Sequence, residues 1–115
     1  MRTAVGCDIV YIPEFERRLQ QTPLLVEKLF THHEILSGYS YASLAGKFAV
    51  KEAVVKALGM SVGDWQSIEV IKDDSGKPFV KLLYPELQHS ILSHDVSISH
   101  DGQYAIAVCV FVLDR

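Results

Sequence analysis

The residues from Tyr41 to Leu58 constrain this chain more than any others. They read as one long helix, and Gly59 follows where a helix C-cap favours glycine. Along Leu44-Ala45-Gly46-Lys47-Phe48-Ala49-Val50-Lys51-Glu52-Ala53-Val54-Val55-Lys56-Ala57-Leu58-Gly59 apolar side chains occupy much of the cylinder, as expected of a helix packed on several sides. Four charges interrupt them. At about 100° per residue, Lys47 and Lys51 share one face, and Glu52 and Lys56 share another roughly 100° to 140° further round. Glu52 and Lys56 leave two readings open. They form either an ordinary i,i+4 surface pair worth roughly 0.3 kcal/mol or, given the flanking Phe48, Ala45 and Ala49, a pair set in a cleft.

Shorter elements surround this helix. The apolar run Thr3 to about Val10 predicts a first strand. Pro13 suits the opening turn of a helix through Glu14, Phe15, Arg17, Arg18 and Leu19. Thr22-Pro23 predicts another helix start, and Thr31-His32-His33-Glu34 matches a capping box. After Gly63-Asp64 strands are expected from Trp65 to Lys72 and from Lys77 to Leu82, joined by the turn Asp73-Asp74-Ser75-Gly76. Pro85 opens a short helix through Ser93, Val96 to Ser99 reads as a short strand, and Tyr104 to Leu113 as a last strand rich in Val, Ile and Phe. The fold class is α+β, one long helix and shorter ones packed on a mostly antiparallel sheet, in a single domain over residues 1–115.

Composition narrows the function. A net charge of −3 speaks against a nucleic-acid binder, which usually carries a basic excess. No apolar run approaches the roughly 20 residues that span a bilayer. Asp8 and Pro13 break up the N-terminal segment before it can form the core of a secretory leader. Cys7 and Cys109 both sit in apolar runs and read as buried small hydrophobes in a reducing compartment, so a cytoplasmic protein is expected. At 115 residues there is little room for a deep private cleft, which favours a site formed where subunits meet.

Two further positions stand out. Asp8 interrupts Val5-Gly6-Cys7-Asp8-Ile9-Val10, a strand whose alternate residues should face a core. A buried carboxylate needs hydrogen-bond donors or a cation, so Asp8 is either a structural acceptor at the strand end or a metal or catalytic group. His100 closes Val96-Ser97-Ile98-Ser99-His100-Asp101, either as a solvated turn residue or as part of a site. The remaining histidines lack paired zinc spacing. There is no nucleophile elbow, Walker A segment or dinucleotide-binding glycine motif.

Together, Gly6-Cys7-Asp8-Ile9-Val10, the helix with Phe48-Ala49-Val50-Lys51-Glu52-Ala53-Val54-Val55-Lys56-Ala57-Leu58-Gly59, and Ser97-Ile98-Ser99-His100 resemble the holo-acyl-carrier-protein synthase family over nearly the whole chain. Phe30-Thr31-His32-His33-Glu34-Ile35 and the Gly76-Lys77-Pro78 turn resemble further segments of its pattern. The resemblance implies a 4′-phosphopantetheinyl transferase fold and activity: moving the pantetheine arm of coenzyme A onto a serine of acyl carrier protein, with release of 3′,5′-ADP. It implies that Asp8 and Glu52 hold magnesium, that Glu52 is the base, and that Lys56 attends the departing phosphate. Lys47, which stands where an arginine is common, and Lys51 are implied to contact coenzyme A phosphates, and His100 to line the nucleotide site. The assembly implied is a homotrimer with clefts between subunits.

Two departures accompany the likeness. Where the family often has a carrier-docking arginine early in its first helix, this chain has Glu14, with Arg17 and Arg18 one turn later as the docking candidates. The usual Gly-Thr-Gly after the catalytic helix is Gly59-Met60-Ser61. The competing readings are a non-catalytic module of the same fold that binds coenzyme A or a carrier, and a small α+β nucleotide hydrolase that uses water as acceptor.

Overall fold

Ten regular elements and one short 3-10 turn follow along the chain in a computed structural model that describes residues 1–114. Strand β1 (Arg2–Tyr11) leads into α1 (Ile12–Gln21), α2 (Leu25–Leu29) and α3 (His32–Leu36). Then come the long helix α4 (Tyr41–Leu58), β2 (Ile68–Lys72), β3 (Pro78–Leu82), α5 (Pro85–His89), β4 (Ile91–Asp101) and β5 (Tyr104–Leu113). Strands β1, β5 and β4 form an antiparallel sheet in that spatial order, and β2 and β3 form a separate antiparallel hairpin. The α+β class expected from the sequence is what the chain adopts.

Helix α4 has the predicted bounds. Ser40 caps its start by accepting the Ser43 N–H, and Gly59 ends it in the left-handed conformation at φ 66°. Its apolar surface is used on two sides. One core joins Ala49, Val50, Ala53 and Val54 to the inner face of the sheet (Ala4, Val96, Ala107, Cys109, Phe111) and to the hairpin (Ile68, Val70, Val80, Leu82). The other joins Leu44 and Ala45 to Phe15, Leu19, Val26, Leu29 and Phe30. The predicted capping box is also present, with Thr31 and Glu34 satisfying each other's backbone N–H groups.

Several expectations are corrected. The segment from Trp65 begins as a 3-10 turn over Trp65–Ser67, held by Ser67 Oγ donating to the Asp64 carbonyl, and extends only from Ile68. Helix α5 stops at His89, and β4 starts at Ile91, well before Val96. Its outward residues Ser93, Asp95, Ser97, Ser99 and Asp101 are polar, so the run imitates a loop. Cys7 is exposed, because alternation along β1 turns it away from the helix, while Cys109 is buried with its thiol pushed up to about 11 by burial.

Lys51 is the largest correction. Its side chain and that of Glu34 are both 0% exposed, and they meet at 2.7 Å. The ammonium also donates to the Leu29 and Trp65 carbonyls at 2.8 and 2.9 Å, which takes all three N–H groups. Glu34 Oε1 accepts the Thr31 N–H and Oε2 the Val70 N–H. No donor remains for a coenzyme A phosphate, so Lys51 is a structural group. It ties α4 to α3, to the end of α2, to the 3-10 turn and to β2.

Two predictions follow from this packing. Lys51→Met, which leaves Glu34 charged and buried, lowers the unfolding free energy by about 3–5 kcal/mol in urea titrations, whereas adding Glu34→Leu recovers much of the loss. The second concerns His94, whose ring stacks on Phe111 (centroids 5.4 Å apart) and whose Nε2 accepts the Val80 N–H at 3.1 Å, bridging β4 to β3. Burial pushes its pKa below the ordinary 6.5. The unfolded chain therefore takes up the proton first. Stability is complete above the ordinary value and is lost as pH falls from there through the folded value. His94→Phe flattens that acid-side slope in urea midpoints measured from pH 7.5 down to about 5.

Candidate functional site

Glycine at position 6 decides how closely β1 and α4 approach. A Cβ built there would lie 1.9 Å from the Ala53 carbonyl oxygen, so no other residue fits without moving the helix. On that strand Gly6, Asp8 and Val10 share the inner face, opposite Cys109, Ala107 and Ala105 of β5. The close approach carries Asp8 to the flank of α4, where Glu52 and Lys56 project.

Asp8, Glu52 and Lys56 line one cavity of about 360 Å³, with Tyr11, Phe15, Phe48, Glu14 and Arg18 among the other walls. Lys56 Nζ donates to Asp8 Oδ1 and to the Cys7 carbonyl, both at 3.0 Å. Its side chain is 56% exposed against 18% for Asp8, so the ammonium reaches from solvent onto a mostly covered carboxylate. Lys56 thus bonds Asp8 and not Glu52, its i,i+4 neighbour. The Glu52 carboxyl is pushed above the ordinary glutamate range, first by burial and then by the negative charge of Asp8, with Lys56 opposing. The Lys56 ammonium is pushed up by its hydrogen bond to Asp8. The arrangement sets two carboxylates beside a lysine that stays protonated at neutral pH and bonds only one of them. Such a site can hold a divalent cation through oxygen, take a proton on Glu52 and offer one from Lys56.

Lys47 and His100 open into another cavity, of about 750 Å³. Lys47 is buried, and its ammonium donates to the Glu34 carbonyl at 2.8 Å and to Ser37 Oγ at 3.0 Å, leaving one N–H for the cavity. Burial lowers its pKa, against the pull of Glu34. His100 Nε2 lies 2.9 Å from the Ala42 carbonyl, which places the ring proton on that nitrogen and leaves Nδ1 as the second hydrogen-bonding atom. The ring fits because residue 46 is glycine: a Cβ there would stand 3.2 Å from it. His33 and Lys72 line the same cavity, and the sequence reading missed both. Their only sequence signal is a positive or titratable charge near a turn, which many surface residues share.

Around α4 the two groups point apart, since Lys47 and Glu52 are separated by about 140° on the cylinder. The carrier-docking candidates Arg17 and Arg18 lie on α1, both exposed and both paired with Glu14, at 3.7 and 3.6 Å. Arg18 and Glu14 reach the rim of the Asp8 cavity.

The chain is similar to known proteins over nearly its whole length. The model of the 4′-phosphopantetheinyl transferase superfamily matches residues 4–109. The chain is 41% identical over 120 residues to the holo-[acyl-carrier-protein] synthase of Alkaliphilus metalliredigens, covering 96% of this chain and 98% of that protein. Among solved structures it is similar to the acyl-carrier-protein synthase–coenzyme A complex from Chronobacterium ammoniagenes, with a TM-score of 0.84, 30% identity and full coverage of both chains. It is equally similar to the Helicobacter pylori holo-[acyl-carrier-protein] synthase in complex with coenzyme A, with a TM-score of 0.84, 33% identity, and coverage of 94% of this chain and 99% of that one.

The seam at Gly6 is directly testable. Gly6→Ala forces α4 away from β1, so unfolding becomes easier by about 3 kcal/mol. Separation from Asp8 also lets the Glu52 carboxyl titrate closer to an ordinary glutamate. Carbon-13 NMR of the side-chain carboxyls reads that fall.

Proposed function

The chain belongs to the holo-acyl-carrier-protein synthase family of the 4′-phosphopantetheinyl transferase superfamily, and from that premise we propose that the Asp8–Glu52–Lys56 cavity is where the family reaction takes place. The protein transfers the 4′-phosphopantetheine group of coenzyme A to a serine of apo-acyl carrier protein, giving the holo-carrier and 3′,5′-ADP. The observation that carries the assignment is the convergence of Asp8 and Glu52, distant in sequence, on one cavity beside a protonated lysine.

Magnesium fits this site. Its protein donors are two hard carboxylates whose mutual repulsion a cation relieves, and magnesium keeps other positions for phosphate oxygens and water. Asp8 and Glu52 would hold the ion, which when bound neutralises negative charge on the pyrophosphate. The carrier serine Oγ attacks the β-phosphorus of coenzyme A, and the bond to the 3′,5′-ADP oxygen breaks. Glu52, in the same cavity, accepts the serine proton directly or through a water. Lys56, held in place by Asp8 and the Cys7 carbonyl, has one N–H left to meet or protonate the departing phosphate.

Lys47 and His100, with Lys72 and His33 nearby, supply the cationic lining for the 3′-phosphate and nucleotide end of coenzyme A. Since they occupy a different cavity from Asp8 and Glu52, a homotrimer whose clefts combine one set from each of two neighbouring subunits accounts for both. Sheet chemistry supports this. Val5, Ile9 and Tyr11 on β1 stand opposite Val110, Ile106 and Tyr104 on β5, and all six lie on the outer face, Val5 64% and Ile9 58% exposed. So broad an apolar surface is a recognised mark of an interface. Arg17 and Arg18 are the docking residues for the carrier.

Incubation with coenzyme A, magnesium and an apo-carrier adds the mass of phosphopantetheine to the carrier in intact-mass spectra. Glu52→Gln keeps the thermal transition but abolishes the adduct. A fully active Glu52→Gln enzyme would remove the base and the metal ligand together, and 3′,5′-ADP released without any carrier would make the protein a hydrolase.

A further inference from the structure

The hairpin β2–β3 pairs with no third strand, so the N–H groups that point out of it need acceptors from elsewhere. Val70 and Val80 stand opposite each other on its ladder, and both turn their N–H groups outward. At one edge the Glu34 carboxylate accepts the Val70 N–H at 2.7 Å, and at the other the His94 ring accepts the Val80 N–H at 3.1 Å. One rung is thus gripped from both sides. Past it the hairpin runs on to Lys72, Gly76 and Pro78, which wall the large cavity beside Lys47 and His100. The two grips differ in kind. Glu34 is fully buried against Lys51, and its grip belongs to the core. His94 is half-buried and accepts through Nε2 only as the neutral ring, because imidazolium carries a proton on both nitrogens. The charged groups that face this ring are Asp95, next to it on β4, and Lys77 of the hairpin turn, and they pair with each other at 3.1 Å. That pair is exposed and does little to hold the hairpin. From the other sides β5 presents Phe111 and α5 presents Gln88, neither of them charged.

We propose that His94 is a positioning residue for the large cavity: its neutral ring holds the hairpin where Lys72, Gly76 and Pro78 complete the wall, and protonation releases that edge. The idea rests on the reading that this cavity takes the nucleotide end of coenzyme A. It deepens that reading by making the affinity for coenzyme A depend on acid through a side chain outside the cavity lining. Burial holds the His94 pKa below the ordinary 6.5, so the release falls on the acid side of that value. As the held fraction shrinks, apparent binding weakens in proportion.

The test compares the unaltered enzyme with His94→Gln and His94→Phe. Glutamine can offer an oxygen to the Val80 N–H at any pH, and phenylalanine offers none. At about pH 7.5, His94→Phe raises the KM for coenzyme A about three- to tenfold, as expected for one lost hydrogen bond, while kcat and the KM for the carrier stay within about twofold. His94→Gln stays close to the unaltered enzyme there. At about pH 5.5 the unaltered enzyme has a KM for coenzyme A about threefold or more above that of His94→Gln. The 3′-phosphate, His33 and His100 are common to both and cancel from this ratio. Without any substrate, the amide NMR shifts of Lys72 and Gly76 follow the His94 ring through its titration, and His94→Gln removes that component. Superimposable KM–pH curves for the unaltered enzyme and His94→Gln overturn the role of His94, and so do hairpin amides that ignore its ring. Should His94→Phe fail to fold, the glutamine comparison carries the test alone. Failure of the unaltered enzyme to modify any carrier overturns the transferase reading instead, and the amide shifts still decide for or against His94.

Discussion

A lysine ammonium and a glutamate carboxylate with no access to water meet at 2.7 Å between Lys51 and Glu34, and three elements besides their own two helices are hung from that contact. Taking two charges out of water is costly, and the cost is met only because every remaining valence is used. Lys51 spends its other hydrogens on the Leu29 and Trp65 carbonyls, and Glu34 accepts the Thr31 and Val70 amides. The main chain of α3 then reaches further, since the Glu34 carbonyl and Ser37 Oγ hold the Lys47 ammonium. One polar knot thus sets the rotation of α4 about its axis. That rotation decides which residues face the sheet edge and which face the large cavity.

The division of labour on α4 follows from it. With Lys51 pinned inward, Glu52 and Lys56 fall beside β1, and Lys47 falls toward β4 and α3. Neither half-site needs to be deep. The Asp8 cavity offers charge of both signs within a small volume, and the larger cavity offers length and cations for a phosphorylated nucleotide. Phe48 stacks on Phe15 and meets Trp65 edge to face along the second core, and the two phenylalanines also wall the Asp8 cavity. Apolar packing and the acidic pair therefore share a boundary, which is why the Glu52 carboxyl is partly desolvated.

How much of this the sequence discloses depends on the range of the interactions. Helix α4 and the capping box at Thr31 obey local rules of periodicity and end chemistry, and both are present as expected. Strand β4 is obscured because its solvent-facing serines and aspartates look like a loop, although Val96 and Ile98 alternate beneath them. Lys51 cannot be told from a ligand-binding lysine without knowing that Glu34, Leu29 and Trp65 converge on it from three other segments. Cys7 misleads for a similar reason, since an apolar strand with one face outward reads the same as one buried on both. Asp8 and Glu52 are legible only as a pair. Separately, each has an ordinary explanation.

The joint between Gly6 and Ala53 has a consequence for anyone who would rebuild this site elsewhere. Transplanting the two acids and the lysine onto another scaffold would reproduce their identities and not their spacing, because that spacing comes from a strand backbone resting directly on a helix backbone. Gradual remodelling is hindered in the same way. A methyl group at this joint has nowhere to go, so drift in the chain must route around it and reshape the rim, the loops and the outer sheet face.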